Sequence, residues 1–120
     1  MIYKPLIIVL GEPYSTFQEI ILKSFKKKFL SNYKFPIVFI GSAELFKKQM
    51  IKLGYSFKIN IIKPEDLGKK KFNNKFINFI NINFKTKKIF NKISSKSKNH
   101  IKNSFDMAIK LIKNKQISGI

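Results

Sequence analysis

The chain has 120 residues, 44% of them hydrophobic, and a formal net charge of +19. This length suits one domain, and this hydrophobic fraction is normal for a globular protein with its own core, so wholesale disorder is not expected. Since cysteine is absent, the chain can have no disulfide framework, no thiolate metal site and no cysteine nucleophile.

No membrane-spanning or secretory segment is expected. The sequence contains no apolar run of about 18 residues, the length that a membrane helix requires. The first apolar run ends at Gly11 after a few residues, which is too short for the core of a signal peptide, and no small-residue cleavage site follows it. We therefore predict a cytoplasmic protein.

The positive charge comes from lysine alone, since all 25 basic residues are lysine. Isoleucine, phenylalanine and asparagine are also abundant, and the codons of all four amino acids are rich in A and T. A strongly AT-biased genome would produce this composition without selection for binding. The alternative is a surface selected for nucleic acid or anionic lipid, although proteins that grip phosphates bidentately usually use arginine. We favour compositional bias and expect no specific nucleic-acid or membrane partner.

The first part of the chain predicts a strand, a helix and a second strand. Residues 4–10 form a short apolar run closed by Gly11, which is typical of a strand buried on both faces. Residues 16–31 predict a helix, which Thr16 would begin in a capping box with Glu19, while Ser15 is a competing cap. Its apolar stripe consists of Phe17, Ile20, Ile21, Phe25 and Phe29. A second buried strand, Pro36 to Ile40, is closed by Gly41.

A second helix and a third strand follow. Ser42 is a suitable N-cap, and Glu44 in the first turn is favoured by the helix dipole. The expected apolar positions of this helix are Leu45, Phe46, Ile51 and Leu53. Gly54 can take the left-handed conformation that commonly ends a helix. Residues 57–62 predict a third strand, which stops near Pro64.

This alternation of strands and helices with short loops predicts a mostly parallel sheet. Residues 63–75 are expected to form a loop. Residues 76–84 are β-prone, and we expect an edge or antiparallel strand there. Residues 85–99 are rich in lysine and serine, which indicates an exposed linker.

The last predicted helix ends around residues 114–116. Its apolar stripe consists of Ile101, Phe105, Ala108, Ile109 and Ile112, and Asp106 is placed to pair with Lys110. Residues 117–120 then look like the start of another strand. We therefore expect residues 1–120 to be a single partial α/β domain, the amino-terminal piece of something longer, cut either by genetic truncation or by choice of boundaries.

The strand ends are the places to look for chemistry, because ligands collect at the carboxyl ends of strands in open α/β sheets. The loop from Gly11 to Thr16 lacks both the GxGxxG and the GxxxxGK[ST] pattern, so no phosphate cradle is predicted. For Glu12 the alternatives are a side chain that faces a crevice and a plain turn, and the plain turn is the favoured interpretation. Gly41 and Ser42 are likewise interpreted as an ordinary helix cap rather than an anion site.

The other polar groups give no stronger signal. His100 has no second ligand at helical spacing, so we expect it to face solvent rather than bind a metal. Glu65 and Asp66 are interpreted as turn residues. The runs Lys26–Lys28 and Lys69–Lys71 are interpreted as solvated faces.

Three segments nevertheless suggest a family. Gly11, Glu12, Pro13 and Glu19, directly after an apolar strand, resemble the opening of the 4-hydroxythreonine-4-phosphate dehydrogenase family, in which a strand runs into Gly-Asp/Glu-Pro-Ala-Gly-Ile-Gly-Pro-Glu. Residues 36–54 resemble the second strand and helix of that family, and the helix from about residue 99 resembles the one before its next strand. Residues 65–95 are not placed. The sequence departs from the motif at residues 14–18, where bulkier side chains replace two glycines, restrict the backbone and fill the crevice.

The resemblance implies a three-layer α/β/α fold with a mostly parallel sheet, similar to the amino-terminal part of the isocitrate/isopropylmalate dehydrogenase fold. It also implies that the full-length enzyme oxidises 4-phosphooxy-L-threonine with NAD or NADP. The product loses carbon dioxide to give 3-amino-2-oxopropyl phosphate for the synthesis of pyridoxine 5′-phosphate (vitamin B6). Family members are homodimers, and three histidines hold a divalent metal that acts as a Lewis acid.

In that family the histidines, the nucleotide site and a later Gly-Pro-x-x-Lys motif lie beyond the matching residues. The resemblance therefore assigns no catalytic, cofactor-binding or metal residue to this chain, and it leaves Gly11, Glu12, Pro13 and Glu19 as a motif remnant. We expect the chain alone to bind neither NAD(P) nor metal and to be inactive. The alternatives are a lysine-rich module that binds nucleic acid or an anionic surface, and a degenerate non-catalytic remnant.

Overall fold

The sheet is parallel throughout, as the alternation of strands and helices predicted. The computed structural model describes residues 4–69 and 71–114. These residues form β1 (Leu6–Val9), α1 (Phe17–Lys26), β2 (Ile37–Gly41), α2 (Ala43–Lys52), β3 (Ile59–Ile61), β4 (Ile77–Asn81) and α3 (Lys98–Lys113). The four strands lie in the order β1-β2-β4-β3, and every neighbouring pair is parallel. None of the helices in the described part of the chain has the length and apolarity needed to cross a bilayer.

The sheet lies between two helical layers. Side chains alternate between the two faces of a strand, and all residues of β2 are buried. Ile37 and Phe39 pack with α1 and α2 on one face, whereas Val38 and Ile40 pack with α3 on the other. This arrangement confirms the expected three-layer α/β/α architecture.

The strand expected at residues 76–84 is present, but its position and direction in the sheet differ from the predicted ones. β4 is neither an edge strand nor antiparallel, since it pairs in parallel with both β2 and β3. The sequence pattern was misleading because Asn78 is polar yet only 1% exposed. Its Nδ2 donates to the carbonyl of Ile37 (3.2 Å) and its Oδ1 accepts from Asn60 (3.1 Å), so the amide is hydrogen-bonded inside the sheet.

The first helix is shorter than predicted. α1 ends at Lys26, and Lys28 takes a positive φ of 63°, which a helix cannot continue through. Phe29, expected in the apolar stripe, is 68% exposed. The capping box prediction was wrong because the Thr16 side chain makes no cap hydrogen bond. The competing cap is used instead, and the Ser15 hydroxyl accepts from the backbone N–H of Phe17 (3.3 Å).

The second helix begins and ends as predicted. Ser42 accepts from the backbone N–H of Leu45 (3.2 Å), and Gly54 takes a φ of 87°. The buried positions differ in part from the predicted ones, since Ile51 is 62% exposed. Gln49 and Met50 lie buried instead, beside the expected Leu45 and Phe46.

The buried face of the third helix shares only Ala108 with the predicted apolar stripe. Its buried residues are His100, Ser104, Ala108 and Leu111, whereas Phe105, Ile109 and Ile112 are about half exposed. The small Ser104 side chain bonds to the carbonyl of His100 (2.9 Å), so this polar position can lie against the sheet. Asp106 pairs with Lys102 (2.8 Å) rather than with Lys110. The strand expected at residues 117–120 lies outside the described residues.

Candidate functional site

Three loops meet at the carboxyl edge of the sheet, where open α/β sheets bind ligands. They are residues 10–16 after β1, the Gly41–Ser42 junction after β2 and residues 82–89 after β4. The beginning of α3 lies beneath them, because His100 lines the same small cavity as Gly11 and Ser42. We call this place the strand-end crevice.

The loop after β1 forms a turn and also contacts the start of α3. Gly11 takes a φ of 71°, and the backbone N–H of Ser15 donates to the carbonyl of Glu12 (3.3 Å), so the favoured turn interpretation of this segment is correct. The Glu12 carboxylate has a second role that the sequence did not reveal. Its Oε2 accepts from the hydroxyl of Ser97 (2.7 Å), which fixes the start of α3 against the loop.

Two buried glutamines fill the crevice. The amide of Gln18 donates to the carbonyls of Glu12 and Pro13, both at 3.3 Å. The amide of Gln49 donates to the carbonyls of Pro13 and Ile89, both at 3.0 Å. The cavity left between these side chains is about 10 Å³, roughly the space of one water molecule. A nucleotide phosphate therefore does not fit at this loop.

His100 is buried, and the prediction that it faces solvent was wrong. It is 5% exposed, and its ring packs 4.9 Å from that of Phe84, centroid to centroid. Burial lowers the pKa of His100, because the imidazolium would lose its hydration, while the backbone of Asn83 and the charge of Glu12 act in the opposite direction. Sequence reasoning missed this residue because its burial depends on Phe84, which no local pattern connects to it.

The buried His100 should make stability depend on pH. Because its pKa is lower in the folded than in the unfolded chain, the unfolded chain binds more protons below the ordinary histidine pKa of about 6.5. The free energy of unfolding should therefore be constant above that pH and fall as the pH decreases through it, by at most about 1.4 kcal/mol per pH unit.

Urea unfolding at several pH values between about 5.5 and 7.5 measures this dependence, since His100 is the chain's one histidine. In His100→Met the slope should disappear whatever the absolute stability of the variant. A slope that persists in the variant would show that another group causes it.

The amino end of α2 is occupied by the protein's own side chains. Ser42 caps the N–H of Leu45, and the Oδ1 of Asn81 accepts from the N–H of Ala43 (2.9 Å). A Cβ on Gly41 would lie 2.8 Å from Cδ1 of Leu10, so the two strand ends also approach closely here. Ser42 is therefore the N-cap of α2, as predicted.

The first part of the expected linker is bound to the crevice. Most side chains between residues 85 and 99 are exposed. The Tyr14 hydroxyl, however, hydrogen-bonds to the Thr86 hydroxyl and donates to the carbonyl of Lys88 (3.0 Å), and Gln49 binds Ile89. Tyr14 and Gln18, two of the side chains that depart from the family motif, thus help close the crevice.

The remaining candidate residues lie apart from this arrangement. Glu19 turns outward and pairs with Lys23 (3.5 Å). Glu65 and Asp66 lie in a 3₁₀ turn, Pro64–Asp66, as predicted. Lys26 and its two lysine neighbours are exposed. Within residues 4–69 and 71–114, no three histidine, cysteine, aspartate or glutamate side chains come together as a metal site would require.

Comparison with known proteins shows the fold. No family model and no curated protein matches the chain. The solved structures that match include one assigned as a 4-hydroxythreonine-4-phosphate dehydrogenase from Salmonella typhimurium, with a TM-score of 0.77, and a 4-hydroxythreonine-4-phosphate dehydrogenase from Burkholderia phymatum, with a TM-score of 0.75. Each is 18% identical, and the match covers 98% of this chain but only 35% of the other. The chain therefore has the fold of about one third of these proteins, as the sequence resemblance implied.

Proposed function

We propose that the chain is the amino-terminal portion of an oxidoreductase of the 4-hydroxythreonine-4-phosphate dehydrogenase type. The observation that carries this proposal is the fold match along 98% of the chain. It is supported by Gly11, Glu12 and Pro13, which form the turn at the carboxyl end of β1 as the family motif would. The whole protein would oxidise 4-phosphooxy-L-threonine with NAD or NADP as a homodimer in the cytoplasm.

The residues described here do not fit the cofactor or the metal of such an enzyme. Gln18 and Gln49 fill the space beside the loop after β1 and leave a cavity of only about 10 Å³ there. The buried His100 has the carboxylate of Glu12 near it, but in the described part of the chain no third histidine, cysteine, aspartate or glutamate joins them as a metal site would require. We therefore assign no reaction step to these residues. In the whole protein, the nicotinamide cofactor and the divalent metal would be bound by residues elsewhere.

The proposed role of this portion is to be a scaffold. Its core packs the parallel sheet between helices, and the Glu12–Ser97 hydrogen bond holds α3 against the loop after β1. By itself, the chain would not oxidise the substrate.

A degenerate, non-catalytic remnant is the second candidate. The observation that favours it is the replacement of an alanine and a proline of the motif by Tyr14 and Gln18, whose side chains help close the crevice. The two candidates make different predictions for the complete gene.

The complete reading frame distinguishes them. If the dehydrogenase proposal is correct, sequencing of the full transcript should show a Gly-Pro-x-x-Lys motif and three spaced histidines downstream of residue 120, and the product should reduce NAD or NADP with 4-phosphooxy-L-threonine. A transcript without these residues would contradict that proposal and support the remnant.

A further inference from the structure

We propose that a cleft between α2 and residues 83–89 binds a compact polyanion, a small molecule with two or more negative charges. This cleft adjoins the closed strand-end crevice, and Leu45 lines both cavities. Residues 83–89 leave the carboxyl end of β4 and form one wall, and Glu44, Leu45 and Lys48 on α2 form the other. The cleft has a volume of about 630 Å³, which is in the range of small-molecule sites.

Contacts with three side chains hold the wall opposite α2 in place. Tyr14 bonds to the Thr86 hydroxyl and the Lys88 carbonyl, and Gln49 donates to the carbonyl of Ile89 (3.0 Å). The ring of Phe84 packs against that of His100 at 4.9 Å. A wall fixed in this way loses little conformational freedom when a ligand binds, so a charged ligand would not have to order it.

The charge of the lining is strongly positive. Four lysines and one glutamate line the cleft. The glutamate, Glu44, is already paired with Lys48 (3.2 Å). The wall formed by residues 83–89 carries the other three lysines, Lys85, Lys87 and Lys88. None of them has an ion pair within the described residues, so this wall has three positive charges that no carboxylate neutralises.

The side-chain types set the class of ligand. A lysine ammonium is a compact point charge with three donors, whereas the planar arginine fork selects carboxylate or phosphate by shape. A lysine cleft therefore selects by charge density, and a multiply charged anion should bind better than a monoanion of similar size. The inference does not depend on the oxidoreductase proposal, because it is argued from the shape and charge of the cleft and not from the fold match.

Titration of the full chain with inorganic pyrophosphate tests the proposal, followed by amide chemical shifts and by calorimetry at low and at physiological ionic strength. We expect saturable binding of one anion per chain, with the largest shifts at residues 83–89 and around Lys48. Acetate at the same ionic strength should produce no comparable shifts. Binding should weaken with salt because the lysines are exposed.

A matched pair of variants separates a site from general lysine electrostatics. Lys85→Gln, Lys87→Gln and Lys88→Gln together should weaken pyrophosphate binding at least tenfold. Lys26→Gln, Lys27→Gln and Lys28→Gln together remove the same charge from another exposed segment and should change the affinity by less than twofold.

Circular dichroism should show the same fold for both triple variants, because all six lysines are exposed. Equal losses in the two variants, shifts spread over lysines throughout the chain, or the absence of saturation would overturn the proposal.

Discussion

Replacement of Phe79 by alanine should lower the free energy of unfolding by about 3–5 kcal/mol. Phe79 is fully buried in β4, and its ring lies 5.8 Å from that of Phe39 and 5.0 Å from that of Phe46. Alanine would remove the transfer free energy of the ring and leave a cavity between the sheet and α2, which the close-packed neighbours can fill only in part.

Urea denaturation followed by circular dichroism measures this loss. Phe29→Ala is the control, since Phe29 is 68% exposed and its removal should change the free energy by less than about 0.5 kcal/mol. If the alanine variant at position 79 is unfolded without urea, Phe79→Leu should still fold and lose less free energy than alanine would, because leucine fills part of the space of the ring. A similar small effect at both positions 79 and 29 would contradict the described core.

Replacement of Gln49 by alanine should cost about 2–3 kcal/mol and also release residues 83–89. Gln49 is 1% exposed, and its amide joins the carbonyl of Pro13 to that of Ile89. The variant would lose both hydrogen bonds, leave the Ile89 carbonyl without this donor and open space in the crevice. Because this amide holds one end of the segment, amide hydrogen exchange across residues 83–89 should become faster.

Lys47→Ala is the matched control for this experiment. Lys47 is an exposed neighbour on the same helix, so its removal should change stability by less than about 0.5 kcal/mol and leave the exchange of the segment unchanged. Unchanged exchange at residues 83–89 in Gln49→Ala would show that the glutamine does not hold this segment.

Local signals explain what could be predicted of the fold. The apolar run of β2, the Ser42 cap and the left-handed Gly54 depend on residues close together in sequence, and all three were identified correctly. β4 was misplaced because the burial of Asn78 depends on hydrogen-bond partners at Ile37 and Asn60, far away in the chain. A polar residue inside a strand indicates an edge unless those partners are known.

The face of α3 that packs on the sheet was also not predictable from local signals. The predicted stripe consisted mainly of large apolar residues, among them Phe105, Ile109 and Ile112, and these are about half exposed. The side chains that pack against the sheet are instead those of Ala108, Leu111 and the small Ser104, whereas Phe105 remains 46% exposed. Which face packs is decided by the shape of the sheet surface, which the helix sequence alone does not contain.

The crevice was only partly predictable for the same reason. The Gly11 turn follows from local sequence, whereas the expectation that bulkier residues at positions 14–18 would fill the space came from the departure from the family motif. The contact between Glu12 and Ser97 joins residues 85 positions apart. The burial of His100 depends on the closed crevice and on Phe84. Neither this burial nor the contact between Glu12 and Ser97 could be predicted from residues that are close in sequence.

The most direct test of the account is an activity measurement on the purified chain. We propose that these residues form a scaffold with a closed crevice and that the cofactor and the metal of the whole protein are bound elsewhere. The chain, mixed with NAD or NADP, a divalent cation and 4-phosphooxy-L-threonine, should therefore form no reduced nicotinamide, as followed by near-ultraviolet absorbance. Reduced nicotinamide that forms in proportion to the amount of chain, and no longer forms when 4-phosphooxy-L-threonine is omitted, would contradict it.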